Sequence, residues 1–520
     1  MVNREKTSVI IFVLIATLIT LLGGYFVYRS THWSPWAFSD SAAYLSAARN
    51  FADGRGLVIL NSNGTATRMT EFAPFYPILL SILTGQSGDF IETARWLNII
   101  AFTLSIFFSG LITFKITRTL IASYCVSLFI ALSPIMLDAF TGMMSEPIFI
   151  LLLIIQFLFL WSYISQPNWK LLIPLVLVSL LLPLTRYAGI VFPMSTGILL
   201  TLLGKKGFKR NLLKGLSFVV ITLLPIGLWF LDLFLKLDKV GGKNFSFDLA
   251  IFSSFFRSIL REYLVLRTWF PYYGIYPGRT INLLIEVFFT IFFFSIFSLG
   301  FLRVIKSWKS LENHHLSFLI GLSHVFLYLA FIALTHSITI PQIDIINRML
   351  APILPLVMLL LAAVFSIEDK RKNNIPWQLP LVVLLIVAAR YNYLITARKI
   401  SEYYEDGFGF NSREIQQSGF INALHDLDQE KPMISNSAAF VLFHTNRFPL
   451  DISQFHNRQY GSSDGYGEKT FRKRQAPLII HLPDFRNTYG ADADNLLETL
   501  TTGLVQTYAD RIGAIYYYPN

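Results

Sequence analysis

Five ionisable residues lie close to apolar runs of this chain: Asp40 in "FSDSAAYLSAARNFADGRGLV", Glu71 in "RMTEFAPFYPILLSIL", Glu146 in "TGMMSEPIFILLL", Arg186 in "LLPLTRYAGIVF" and Arg348 in "IINRMLAPILPL". An ionisable group beside hydrocarbon is costly, so its default reading is functional and paired. The residue types suit one chemistry. A carboxylate takes the proton of an attacking hydroxyl, and a guanidinium fork fixes a phosphate in position and orientation through parallel charged hydrogen bonds. A lipid-linked phosphate reaches that depth of a membrane. Tyr44 and Arg68 join Glu71, Glu146, Arg186 and Arg348 as candidate substrate-binding residues, and Asp40 is the candidate catalyst.

Plainer roles compete for the same residues. Asp40, flanked by Ser39 and Ser41 and followed by an Ala-rich segment that Gly54 stops, is placed to cap a helix N-terminus. Glu146 suits a first helical turn beside Pro147, Glu71 a solvated loop, and the two arginines can snorkel to the interface. His324 and His336 have no carboxylate or Cys at ligand spacing and read as packed or hydrogen-bonded side chains. HExxH, Cys-pair zinc and Ser-elbow motifs do not occur in the sequence. The single cysteine, Cys125, lies in an apolar run and reads as core; it forms neither a disulfide within the chain nor a Cys-based metal site.

The elements that must position these residues are membrane helices. The 520 residues are 54% hydrophobic and only 14% charged, with a mean hydropathy of +0.53, the profile of a polytopic membrane protein. The net charge of +11 divides unevenly: residues 398–520 carry 12 Lys/Arg against 15 Asp/Glu. The excess positive charge sits in short loops between apolar runs, which sets orientation and leaves no basic stripe for nucleic acid.

Apolar runs long enough to cross roughly 30 Å of hydrocarbon predict eleven transmembrane helices, near 8–28, 92–115, 119–138, 145–164, 171–184, 189–203, 215–236, 281–303, 316–337, 347–366 and 376–397. The first is a retained signal-anchor. With the N-terminus cytoplasmic, the basic loops, among them "GKKGFKRNLLK" and "EDKRKNN", fall inside. Three larger pieces then face outward: 29–91, 237–280 and the tail. The expected division is a membrane domain over 1–397 and a small mixed α/β domain over 398–520, on the extracytoplasmic side.

Within 237–280, "FDLAIFSSFFRSILREYLVLRTW" reads as an amphipathic helix lying on the outer leaflet, followed by the aromatic "FPYYGIYPGR". In the tail, "KPMISNSAAFVLFHTNRFPLD", "QAPLIIHLPD" and "RIGAIYYYPN" read as strand-like runs, with a helix around 493–508. The "GSSDGYG" loop lacks the strand-and-helix context of a phosphate-binding glycine loop. Sequons at Asn63 and Asn244 face outward.

Taken in order, "FSDSAAYLSAARNFADGRGLV", "APFYPILLSIL", "MMSEPIFILLLIIQFLFLW", "LLPLTRYAGIVF" and "NRMLAPILPLVMLLLA" resemble the motifs of the GT-C superfamily of glycosyltransferases, in the branch of the protein O-mannosyltransferases and the lipid A aminoarabinose transferase. The resemblance spans residues 1 to about 366, and the tail resembles the outer soluble domain of many members. It implies an integral-membrane transferase with a polyprenyl-phosphate sugar as donor and an unidentified hydroxyl acceptor, on the outer face of a cytoplasmic membrane, the bacterial one being expected, or on the lumenal side of an endoplasmic reticulum. Asp40 matches the family's catalytic acid in the first outer loop. Many members have two adjacent acids there, whereas this chain has "DS", so Ser41 supplies no second carboxylate and a divalent cation lacks its acid pair. Glu71 or Glu146 remain as helpers, and no cofactor is required.

The chemistry implied is displacement at the anomeric carbon. Asp40 takes the acceptor's proton, and Arg186 or Arg348 stabilises the charge developing on the phosphate leaving group. Direct displacement inverts the anomeric configuration. Two other classes stay open: a transporter or flippase of a lipid-linked sugar, which needs polar groups near the bilayer midplane, and a non-catalytic assembly protein in which Asp40 is only a cap.

Overall fold

The computed structural model describes residues 2–61, 64–204, 207–237, 244–245, 250–269, 279–340, 342–366, 378–428, 430–452 and 475–519. The chain opens with a long helix, α1 (Val2–Ser30), then α2 (Ser39–Ala52), a hairpin of β1 (Val58–Leu60) and β2 (Ala66–Arg68), and α3 (Phe75–Thr84). The bundle continues through α4 (Phe90–Thr117), α5 (Leu120–Ala131), α6 (Pro134–Thr141), α7 (Glu146–Ser165), α8 (Trp169–Thr185), α9 (Val191–Leu202) and α10 (Phe208–Leu237). After β3 (Asn244–Phe245) come α11 (Ala250–Leu266), α12 (Arg279–Lys306), α13 (Asn313–Ile338), β4 (Thr339–Ile340), α14 (Asn347–Leu350), α15 (Ile353–Ser366) and α16 (Gln378–Asp406).

Each of the eleven apolar runs holds helix within its described residues, but eleven spans do not follow from this. Among the described residues, five helices are long and apolar enough to cross a membrane, and α5 with α6, bent by 56°, makes a sixth candidate span. The bend falls at Ser133–Pro134, where Ser133 Oγ accepts from Met136 N and the proline opens the new helix. The α4 start is fixed by Asp89, whose Oδ1 accepts from Ile91 N at 2.8 Å and Glu92 N at 3.1 Å. The bundle core runs through Phe102, Phe140, Phe149, Phe192, Tyr328 and Leu356.

The tail is α17 (Arg413–Gln416), α18 (Phe420–His425), β5 (Ile434–Ser435), α19 (Ala438–Thr445), β6 (Leu450–Asp451), β7 (Leu478–His481), α20 (Leu482–Tyr489), α21 (Ala493–Thr501), β8 (Val505–Ala509) and β9 (Gly513–Tyr517). One sheet has the order β6-β5-β7-β9-β8. β5 is parallel to β6 and β7, and β9 is antiparallel to β7 and β8. A second apolar cluster joins this sheet and its helices to α2, with Leu45 and Ala48 packed among Phe410, Phe440 and Phe443. On its other side α2 gives Tyr44 to the bundle core. The helix carrying Asp40 is thus held between the two halves of the chain.

The structure corrects several expectations. Cys125 is exposed on the outside of α5 rather than core. The run 431–451 is interrupted by α19, which Asn446 ends with φ of 58°. The helix expected over 493–508 stops at Thr501, and the chain turns at Gly503, φ 79°, into β8. In α11 the apolar face points away from the protein, with Phe252 and Phe256 72% and 68% exposed, while Ser254, Ser258 and Glu262 are buried. Burial pushes the Glu262 carboxyl up to about 8, so near neutral pH it turns inward largely as the neutral acid. The "GSSDGYG" loop, "EDKRKNN", Asn63 and residues 270–278 of "FPYYGIYPGR" lie outside the described residues.

Candidate active site

Asp40 does not cap α2. The N-cap is Phe38, whose N–H is taken by Ser41 Oγ at 3.2 Å, so the serine beside the acid does the capping. That leaves the Asp40 carboxylate, in the first turn, free to reach sideways. Its Oδ2 meets Arg348 Nη2 at 2.7 Å. Arg348 Nε lies 3.2 Å from Glu146 Oε1, and Glu146 Oε2 lies 2.8 Å from Arg186 Nη1. Two acids and two arginines therefore form one alternating chain, electrically balanced.

Each member has its own support. Glu146 is the first residue of α7, where the helix dipole favours it, and its side chain is 1% exposed against 29% for Asp40. Arg186 sits in extended backbone between α8 and a short 3-10 turn, and its Nη1 also donates to Ser145 Oγ at 3.1 Å. Arg348 is held in α14, which Tyr328 secures by donating to Met349 O at 2.7 Å. Arg348 Nη1 also points at Met144 Sδ, 2.7 Å away. Tyr44 joins through Ser145, with 3.0 Å between the two hydroxyls. Burial, opposed by Arg186, pushes the Tyr44 phenol well above its ordinary value, so it acts as a neutral hydrogen-bonding group.

Of the seven residues singled out in the sequence, Asp40, Tyr44, Glu146, Arg186 and Arg348 come together. Glu71 is exposed in the turn before α3 and takes no part in the chain of ion pairs. Arg68, at the end of β2, pairs instead with Asp232 of α10, which also receives Lys236 Nζ at 2.5 Å. His324 is satisfied by Ser195 Oγ and Gln156 Oε1, each at 2.9 Å. His336 Nε2 accepts from Arg261 Nη1 at 2.7 Å.

Other residues that hold the site gave no charge signal in the sequence. Trp36 N donates to Thr141 O at 3.0 Å and Met143 N donates to Trp36 O at 2.9 Å. This short ladder ties the strand leading to Asp40 to the one leading to Glu146. The Trp36 indole lies flat against Gly142, where an added Cβ would come within 2.4 Å of the ring. Asn98 Nδ2 donates to Gly142 O at 2.6 Å from α4. The signal available was only the adjacency of "WSPWAFSD" and "FTGMMSEP" to the acids.

Both carboxylates already face guanidinium groups, Ser41 is turned into its cap, and among the described residues no three His, Cys, Asp or Glu gather in a way that could hold a metal ion.

No family model and no curated protein matches the chain. Among solved structures 17 chains match. One is ArnT from Cupriavidus metallidurans, solved bound to undecaprenyl phosphate, which aligns over 98% of both chains with a TM-score of 0.56 and 12% identity. The match runs through both the bundle and the tail, and at this identity it is a likeness of architecture: the chain has the overall fold of that protein.

Proposed function

We propose that this chain is an integral-membrane glycosyltransferase that moves a sugar from a polyprenyl-phosphate carrier to an acceptor hydroxyl on the outer face of the membrane. The observation that carries the reading is the ion-pair chain Asp40–Arg348–Glu146–Arg186 at one end of the bundle. The solved relative with undecaprenyl phosphate supports the donor class.

In this reading Glu146 is a buried counter-ion that orients both guanidinium groups. A donor phosphate entering beside them competes with Asp40 for Arg348 Nη2, which frees the carboxylate to act as base. The acceptor oxygen then bonds to the anomeric carbon while the carbon–oxygen bond to phosphate breaks. The acceptor proton passes to Asp40, and the bonding pair leaves on the phosphate oxygen beside the arginines. A single displacement inverts the anomeric centre.

A carrier of lipid-linked sugar would place its substrate site near the middle of the bundle. Gln156, Ser195, Thr196 and His324 there bond to one another, and the Asp40 ion-pair chain gathers at one end, which favours transfer. The test is transfer by purified, reconstituted protein supplied with a panel of labelled polyprenyl-phosphate sugars. Asp40→Asn should lose activity by roughly 10²–10⁴-fold while keeping its thermal midpoint. A variant that folds and transfers at the wild-type rate refutes Asp40 as the base; a wild type inert with every donor counts against the reading as a whole.

A further inference from the structure

At the opposite end of the bundle the end of α7, the start of α8, the end of α9 and the start of α10 enclose a cavity of about 540 Å³. Small-molecule pockets run from roughly 300 to 1,000 Å³. The 20 residues of α7, at about 1.5 Å rise each, set it roughly 30 Å from Glu146, so it is no part of the site above.

Its lining has two characters. Arg210, Lys214 and Asn211 give it charge and an amide, Leu172, Leu203 and Leu213 give it an apolar wall, and no Asp or Glu lines it. Lys214 is held in place, its ammonium 4.4 Å over the Tyr163 ring. Asn211 is 5% exposed and donates to Gly204 O at 2.8 Å, which fixes the rim. Orientation rules explain why basic residues occur in this loop. They do not explain a shaped space that brings cations and leucines together.

The mouth points to lipid. Trp169 and Leu213 are exposed there, and Leu216, Val220 and Leu224 continue an exposed apolar stripe along α10. We propose that the cavity binds the phosphate headgroup of an anionic phospholipid from the leaflet on this side of the membrane, with an acyl chain laid along α10. Arg210 and Lys214 take the phosphate; a free phosphate would have no use for the apolar mouth.

The experiment is native mass spectrometry of the full chain in detergent, titrated with phosphatidylglycerol, phosphatidylcholine or inorganic phosphate. One phosphatidylglycerol should be retained, more tightly than phosphatidylcholine and undisplaced by excess inorganic phosphate. Replacing Arg210→Gln and Lys214→Gln together should weaken it roughly tenfold or more. Lys209→Gln, which removes one positive charge at an exposed neighbour outside the cavity, should leave it unaltered. Equal binding by the double variant, an equal loss in Lys209→Gln, equal retention of phosphatidylcholine, or displacement by phosphate would each overturn the proposal. If the double variant fails to elute as a folded monodisperse species, Arg210→Gln alone is read against the same outcomes.

Discussion

Asp40 and Arg348, separated by 308 positions in the sequence, meet at 2.7 Å, and the same guanidinium turns its Nε to Glu146 at 3.2 Å. One side chain thus addresses the half-buried acid and the buried acid together. Only a planar fork does this; an ammonium at the same place is a single point of charge. Arg348→Lys should therefore lower transfer by about 10²-fold or more, with a raised KM for the lipid-phosphate donor and little change in thermal midpoint. A variant with wild-type kinetics would show that charge alone suffices there.

Glu146 tests the other half of that relationship. Its side chain is 1% exposed and faces both Arg186 and Arg348. Removing one partner of a buried pair leaves an uncompensated charge, at a cost of about 3–5 kcal/mol. Glu146→Ala should therefore unfold at markedly lower temperature than Asp40→Ala, whose carboxylate is 29% exposed and whose loss should fall mainly on activity. Thermal unfolding of the two in the same detergent checks the order; equal midpoints would contradict the assignment of Glu146 as the structural counter-ion.

Gly142 tests how the acids are brought together. Alanine there would place Cβ within 2.4 Å of the Trp36 ring, and the Trp36–Met143 ladder would have to shift. Because that ladder leads to Asp40 on one side and Glu146 on the other, Gly142→Ala should lower kcat more than it raises KM. Trp36→Leu in the same chain should restore part of the loss. The measured quantity is the coupling in a double-mutant cycle. Additive effects would mean that the two residues act separately.

These positions show what was legible in the sequence. Apolar runs marked the long helices of the bundle, though not how many of them span, because length and hydropathy are local properties, and the out-of-place charges marked the four members of the ion-pair chain. The misplaced items depend on partners far away in sequence. Glu71 and Arg68 sit in the same outer segment as Asp40, but Arg68 is claimed by Asp232 on α10 and Glu71 faces outward. The cap of α2 went to Ser41, because the helix starts at Ser39 with Phe38 as its N-cap, and Arg348, which no local pattern connects to Asp40, meets the carboxylate instead. Trp36, Asn98 and Gly142 act through backbone geometry that composition does not encode.

The tail carries a pH dependence that reaches the site. His444 packs against Phe440 and Phe443, with ring centroids 4.7 and 5.1 Å away, and burial, reinforced by His425, Arg49 and His481, lowers its pKa to about 3 against a backbone hydrogen bond at Phe410. The folded state therefore prefers the neutral ring. Stability from this preference is complete above the unfolded value of about 6.5 and is lost as pH falls from there toward 3, by up to about 1.4 kcal/mol per pH unit. Since α19 packs on α2 through Phe440 and Phe443, and Arg49 Nη1 donates to Phe443 O at 3.0 Å, acid should loosen α2 along with the tail. The hydrogen-exchange protection of residues 39–52, taken relative to the intrinsic exchange rate at each pH, should thus fall between pH 6.5 and 5 in the wild type, and less so in His444→Leu, whose side chain cannot charge. The same acid response in both would place its origin elsewhere.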